Sequence, residues 1–279
     1  MTQDKRPSNA VFSTGQPPTR QTQSDDVPYE TVPLPSRGIL YPEGSPLHGR
    51  TELQIKPMTA REEDILMSPA LIKSGTAITT LIKSCLVDKT IDPADMVAGD
   101  RNALVFAIRI TGYGPEYAAT VECSECEAKS DRVFDLSQVG VNFLDVEPVQ
   151  PFTNRFEFKL PASKKIVHYR YLTGRAEEAA TKTQAQRKKA LQGAAAVEQT
   201  VTDGLRESIV SVDGSEDRQK IAEFVKSMPA RDSLALRNRI ATTKPDIITK
   251  QVTECPSCGS SEEVSIPLGV SFLWPRAAS

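Results

Sequence analysis

Four cysteines in two Cys-x-x-Cys pairs carry the clearest chemistry in the chain: Cys123 and Cys126 in VECSECEAKSDRVFDL, and Cys255 and Cys258 in TECPSCGSSEEVSIPL. Two intervening residues are what a tight knuckle turn needs to bring both sulfurs onto one metal ion. Two such knuckles complete a tetrahedral, all-sulfur Zn2+ site with no position left open for water or substrate, so the implied zinc is a single structural ion. Gly259, directly after Cys258, supplies the positive φ that turns backbone N–H groups toward sulfur. The competing readings of the same residues are two disulfides or unrelated buried thiols. Disulfides need an oxidising compartment, and the chain opens MTQDKRPSNA without the apolar core of a secretion signal.

Strands must deliver these turns. Tyr117–Val121 leads into the first pair and Val133–Leu136 leaves it; Ile247–Val252 leads into the second, and the alternating Val264, Ile266, Leu268 and Val270 follow it. Apolar residues at period two mark half-buried strands, so each pair is expected at the tip of a hairpin, the two together forming a zinc ribbon. Residues 127–254 separate the knuckles. A ribbon tolerates that insertion if the inserted chain leaves and returns at neighbouring strand ends, because loop-closure entropy grows only logarithmically with length. The insertion should then be a compact unit.

Other chemistry has little material. His48 and His168 are the two histidines, too few for a histidine-based acid–base site or a multi-histidine metal centre. His48 in PEGSPLHGR reads as a solvated loop residue, and His168 in the alternating KKIVHYRYL as a strand residue with a cross-strand polar partner. Cys85 falls in the helical stripe Ile78, Leu81, Ile82, Cys85, Leu86 and reads as a small core residue with an unreactive thiol. Gly112-x-Gly114 lacks the preceding strand and third glycine of a phosphate loop. No nucleophile sits with a base at recognisable spacing, so an enzyme is not expected. A net charge of −2 gives no overall basic field for nucleic acid or an anionic membrane. The run Arg187, Lys188, Lys189 has no aromatic neighbours and reads as a solvated helix face. No apolar run approaches the roughly 20 residues of a membrane span, and a soluble chain made inside the cell is expected.

The pattern along the chain is α+β: a helical N-terminal part, a four-cysteine zinc ribbon closed by distant segments, and a hairpin plus small helical lobe inserted between the knuckles. Residues 1–28 are polar and charged and read as a disordered arm. Residues 29–112 combine the extended lead-in VPLPSRGILYPEG, a short strand at Thr51–Ile55, and helices. Thr59 and Glu62 form a capping box, Pro69 stops or restarts the helix they open, and Asp92–Pro93 begins another. Asp100 is read as the cap before RNALVFAIRI, with Leu104, Val105, Ile108 and Ile110 on its buried side. Residues 113–150 and 246–279 make the ribbon. Within 151–245, Phe156, Phe158 and Leu160 alternate across a Pro161–Lys164 turn from Ile166, His168 and Arg170 or their off-register neighbours. Ile221, Phe224 and Val225, then Leu234, Leu236 and Ile240, recur at helical spacing until Pro245.

Two apolar strings have no obvious place to be buried. Proline and glycine interrupt the lead-in around Leu34, Ile39 and Leu40, so it cannot complete a sheet ladder, and Phe272, Leu273 and Trp274 have few following residues to cover them. Docking on a partner protein accounts for both. The alternative is packing on the chain's own domain, with Trp274 folding back over the ribbon.

Several strings, taken in order, resemble one family. LPSRGILYPEGS, the helical segment from PMTAREEDILM through GDRNALVFAIRITGYG, the SVDG-to-MPARDS helical unit, and a closing cysteine knuckle leading to VSFLWP are together similar to the baseplate hub proteins of T-even-type contractile-tailed bacteriophages, over most of residues 33–275. The resemblance implies a structural or assembly protein of the phage tail, assembled in the host bacterial cytoplasm and carried in the virion baseplate. Its partners would be hub, wedge or tube proteins, with no nucleic acid, membrane or small-molecule substrate. The resemblance points to Cys123, Cys126, Cys255 and Cys258, to the lead-in residues Arg37, Ile39, Leu40 and Tyr41, and to Phe272–Pro275. The competing function is a zinc-ribbon nucleic-acid-binding or transcription-associated factor, which should carry a basic face with exposed aromatics.

Overall fold

Prolines at 33 and 35 limit the lead-in to one short strand, β1 (Glu30–Pro33), which pairs antiparallel with β2 (Glu52–Ile55), Glu30 opposite Ile55 and Pro33 opposite Glu52. The computed structural model of the chain describes residues 28–190, 200–268 and 270–273. The arm expected over residues 1–28 lies, but for its last residue, outside the described residues; so do Trp274 and the side chains of Arg187, Lys188 and Lys189.

Local sequence sets the helical part. The Thr59–Glu62 capping box opens α1 (Ala60–Met67), Pro69 restarts the chain as α2 (Pro69–Ser74), and α3 (Ala77–Cys85) buries Leu81, Ile82 and Cys85. Burial pushes the Cys85 thiol up to about 12, as an inert core cysteine requires. Asp92 does cap, its carboxylate accepting the Ala94 N–H at 3.0 Å, but it caps a 3-10 turn at Pro93–Asp95.

The central element is α4 (Ala98–Tyr113), buried on nearly every side by Leu104, Phe106, Ala107 and Ile108, while Val105 and Ile110 are only half-buried. A Cβ at Gly99 would lie 1.8 Å from the Pro245 carbonyl oxygen, so the start of α4 sits flush on the backbone there. Asp100 corrects the expected cap. The helix begins two residues earlier, and the Asp100 carboxylate, fully buried, instead accepts the Ser36 N–H at 2.9 Å, the Ser36 hydroxyl at 2.5 Å and the Tyr41 hydroxyl at 2.6 Å. The lead-in is therefore tied to α4 through one carboxylate. Leu34, Leu40 and Tyr41 are buried and Ile39 half-buried as a result.

After α4 come a hairpin, β3 (Glu116–Glu122) and β4 (Lys129–Asp135), and then β5 (Gly140–Asn142). Next are β6 (Phe156–Lys159), β7 (Ile166–Tyr169), α5 (Gly174–Ala190), α6 (Thr200–Ser208), β8 (Ile209–Val212), α7 (Arg218–Ser227) and α8 (Ala230–Thr243). The three strands form a sheet in the order β6-β7-β8, with Phe156 facing Tyr169 and Phe158 facing Val167, the off-register alternative for that hairpin. His168 lies opposite Glu157, with Nδ1 2.7 Å from the Ser211 hydroxyl, which is the expected cross-strand partner. His48 is not simply solvated: its Nδ1 is 2.9 Å from the Tyr41 carbonyl and its ring centroid 4.0 Å from that of Phe152. On α8 Leu236 is buried but Leu234 is exposed.

The chain then returns as β9 (Asp246–Ile248), β10 (Lys250–Glu254), β11 (Ser261–Ser265) and a last turn of helix, α9 (Val270–Leu273). β9 pairs antiparallel with β5, Asp246 opposite Asn142. The long segment between the knuckles thus leaves and returns at neighbouring strands, as the loop-closure argument requires. Buried side chains from Val32 to Leu273 make one continuous core cluster. Among the described residues no helix is long and apolar enough to cross a membrane.

Candidate metal centre

Each cysteine pair sits in the turn of a two-stranded hairpin, β3–β4 for the first and β10–β11 for the second. The two turns are built alike. Glu127 N–H donates to the Cys123 carbonyl at 3.0 Å and Gly259 N–H to the Cys255 carbonyl at 2.8 Å; Cys123 N–H reaches the Ala128 carbonyl at 3.0 Å and Cys255 N–H the Ser260 carbonyl at 2.8 Å. The residue after the second cysteine has a positive φ in both, +72° at Gly259 and +57° at Glu127. A glycine marks only one of the two turns in the sequence.

The turns bring all four sulfurs within 4.8 Å of one another. Across the two knuckles, Cys123 Sγ lies 3.8 Å from Cys258 Sγ, and Cys126 Sγ lies 3.8 Å from Cys255 Sγ. Four sulfurs at a Zn–S distance of about 2.3 Å stand about 3.8 Å apart at the corners of a tetrahedron, so the donor set fits zinc. Every cysteine is free, and those separations are far beyond the roughly 2.05 Å of a disulfide. Cys123 and Cys255 are buried while Cys126 and Cys258 are exposed. N–H groups of Ser257 and Cys258 aimed at the Cys255 sulfur bring its pKa down to about 6, whereas Cys258, despite the Ser260 N–H, is pushed up to about 12 by its hydrogen bonding with Cys126.

Behind the sulfurs the two hairpins face each other through polar groups. Arg132 on β4 is buried and donates to the Thr253 hydroxyl at 2.6 Å and to Glu262 Oε1 at 2.7 Å; Glu262 Oε2 accepts the Ser124 N–H at 3.0 Å and its hydroxyl at 2.6 Å. The Ser124 hydroxyl, then its N–H and Arg132, hold the Glu262 carboxyl down to about 2. Arg132 Nε is buried with no partner of its own among the described residues. Were Zn2+ held here, four thiolates around it would leave a net charge of −2, and the buried Arg132 guanidinium, which reaches Cys123, would supply compensating charge. At the base the packing turns apolar. Tyr117 and Phe134 are buried, and the Phe272 ring lies tilted with its centroid 4.8 Å from that of Phe106 of α4 and edge-on 5.3 Å from that of Tyr117.

The model of one protein family, described as T4 bacteriophage base plate protein, matches residues 43–274. The chain belongs to the T4-type phage baseplate protein family. No curated protein and no solved structure matches it.

In this baseplate protein the four cysteines converge as their spacing predicts, whereas Leu34, Leu40, Tyr41, Phe272 and Leu273, expected among the docking residues, are buried within the chain itself. Arg109 of α4, itself buried, donates to the Phe272 carbonyl at 2.8 Å, the Gly114 carbonyl at 2.8 Å and the Glu116 carbonyl at 3.0 Å, and so fixes the C-terminal turn. Phe272 and Leu273 are buried with it. The premise that Leu34, Leu40, Tyr41, Phe272 and Leu273 have no cover of their own therefore fails, because Asp100 and Arg109 supply the hydrogen bonds that irregular backbone and side chains need for burial. Of Arg37, Ile39, Leu40 and Tyr41 only Arg37 is exposed, its guanidinium 4.8 Å over the Phe143 ring. Nothing in the cysteine spacing points to Arg132 or Glu262. Strand alternation does, since Arg132 shares the inward face of Phe134 and Glu262 that of Val264.

Proposed function

We propose that the chain is a structural or assembly component of the hub region of a contractile-tail baseplate, stiffened by one structural Zn2+ ion bound to Cys123, Cys126, Cys255 and Cys258. The family match over residues 43–274 supports the place in the tail. The single observation that supports the metal is the pair of 3.8 Å sulfur separations across the knuckles. A centre closed by four protein ligands has no position for a substrate. What the chain's own residues do is therefore mechanical: the knuckle amides set the thiolates, Arg132 and Glu262 join the hairpins, and Phe272 seats the ribbon on α4.

On this reading the ribbon of residues 113–150 and 246–279, the inserted unit 151–245 and the region 29–112 act as one rigid piece, without enzymatic activity. It would be assembled in the host cytoplasm against hub, wedge or tube proteins, with Arg37 and Trp274 as the remaining docking candidates of the lead-in and the C-terminal string. The nucleic-acid alternative is disfavoured by the exposed charges of the ribbon. Glu122, Glu125, Glu127, Asp131, Glu254 and Glu263 outnumber Lys129 and Lys250 there, the wrong sign for phosphate contacts. Mass spectrometry of purified tails, together with pull-down from infected cells, tests the assignment. Recovery of baseplate hub proteins with the chain is expected; recovery of nucleic acid without any tail protein would overturn it.

A further inference from the structure

A groove of about 580 Å³ runs between α1 and α3, and its lining includes Lys56, Arg61, Lys83 and Lys89. Four cations gathered in one cleft stand out in a chain whose net charge is −2. Among the described residues, no salt bridge joins any of them to a carboxylate. The one carboxylate in the lining is Glu62, and it is already used: Oε2 accepts the Thr59 N–H at 2.9 Å and its hydroxyl at 2.5 Å, and Oε1 accepts the Ser84 hydroxyl at 2.6 Å.

The lysines at the far side are fixed in place. Lys83 donates to the carbonyls of Lys89 at 2.6 Å and Ile91 at 2.5 Å, and Lys89 to those of Lys83 at 3.0 Å and Ser84 at 2.7 Å. An ammonium has three donors, so each keeps one unused. Lys56 rests 5.9 Å over the Tyr29 ring, a contact that leaves its hydrogen-bond donors free. Burial, and after it the neighbouring Lys56 charge, lowers the Lys89 pKa. No aromatic side chain lines the groove, so it lacks the stacking platform of a single-stranded nucleic-acid site. Pro57 and Ile65 instead give it an apolar strip beside the cations.

We propose that this groove binds an acidic peptide segment of another protein in the assembly, whose carboxylates take the unused donors of Lys56, Arg61, Lys83 and Lys89. The site is separate from the metal centre and depends on the baseplate reading only for the source of that peptide. The test uses the full chain and a fluorescein-labelled hexaglutamate peptide, read by anisotropy at low and moderate salt. Binding should weaken at least tenfold in Lys56→Glu/Arg61→Glu, remain unchanged in the charge-matched Lys220→Glu/Lys226→Glu, and fall with salt. In the unsubstituted chain the same peptide should protect Lys56 and Lys89 from acylation, a readout independent of how any variant folds. Absence of binding, equal loss in both double variants, or no protection would overturn the proposal. So would tighter binding of an oligothymidylate through the same two residues, or binding seen only in Asp25→Asn/Asp26→Asn, which would assign the groove to the chain's own acidic pair.

Discussion

Along the facing sides of the ribbon the contents change from Tyr117 and Phe134 at the base to Arg132, Thr253 and Glu262, and then to four cysteines at the tip. Around α4 the contents are Leu104, Phe106, Ala107 and Ile108, with a single carboxylate, Asp100, among them. The difference shows how one chain holds two regions by different means. The body has apolar surface enough to hold by packing, and its buried polar groups fix the path of irregular segments. The ribbon turns Val133 and Val252 outward, both exposed, and toward its tip has little apolar matter between its hairpins. On the proposed reading a metal cross-link takes the place of a core there, and the four sulfurs lie within 4.8 Å of one another.

Removing that cross-link is the largest perturbation available. Structural zinc contributes on the order of 10 kcal/mol to small domains, far more than the polar contacts behind it. Chelation of the full chain, or Cys255→Ser, should expose the amides of β3, β4, β10 and β11 to hydrogen exchange while α4 keeps its protection. Loss of protection in α4 at the same chelator concentration would erase the contrast between the regions. A smaller effect is expected from Arg132→Ala, which removes the charge beside the cysteines and the donor to the Thr253 hydroxyl and Glu262 Oε1. Groups in that position typically change metal affinity roughly 10–100-fold. Competition with a chromogenic chelator should show that loss, with the thermal midpoint of the helical body unmoved; unchanged affinity would make Arg132 a hairpin contact only.

The smallest expected effect separates the regions by sign. Burial raises the Asp100 carboxyl to about 6, against about 3.9 in an unfolded chain, so folding favours its protonated form. Its contribution to stability is complete below about pH 4 and is lost as pH rises through 6. Between pH 7 and pH 5 the body should gain about 1 kcal/mol from this group. The ribbon should move the other way, since protons compete with metal for thiolate. Exchange at α4 and at β3 measured at both pH values checks this. Asp100→Asn should abolish the gain at α4 without altering the ribbon, and a gain that survives the substitution would place its origin elsewhere.

How much of this was readable from sequence depended on the range of the interaction. Cys-x-x-Cys spacing, the Thr59–Glu62 box and the stripe through Cys85 are local, and the structure has them where the residues predict. Asp100 reads as a cap because a carboxylate just before an apolar helix usually is one, whereas its partners Ser36 and Tyr41 lie 64 and 59 positions away. The same distance hid the fate of the apolar strings: Arg109 reaches Phe272 across 163 positions. A helix pattern that places a charge on its buried face, as at Asp100 and Arg109, is the available signal that a distant segment will come to meet it.

The zinc content of the purified full chain, measured by elemental mass spectrometry beside a Cys123→Ser variant, tests the central claim most directly. One zinc ion per chain, lost in the variant, is the predicted result. A metal-free chain whose ribbon amides are already protected, or a variant that retains its zinc, would contradict it.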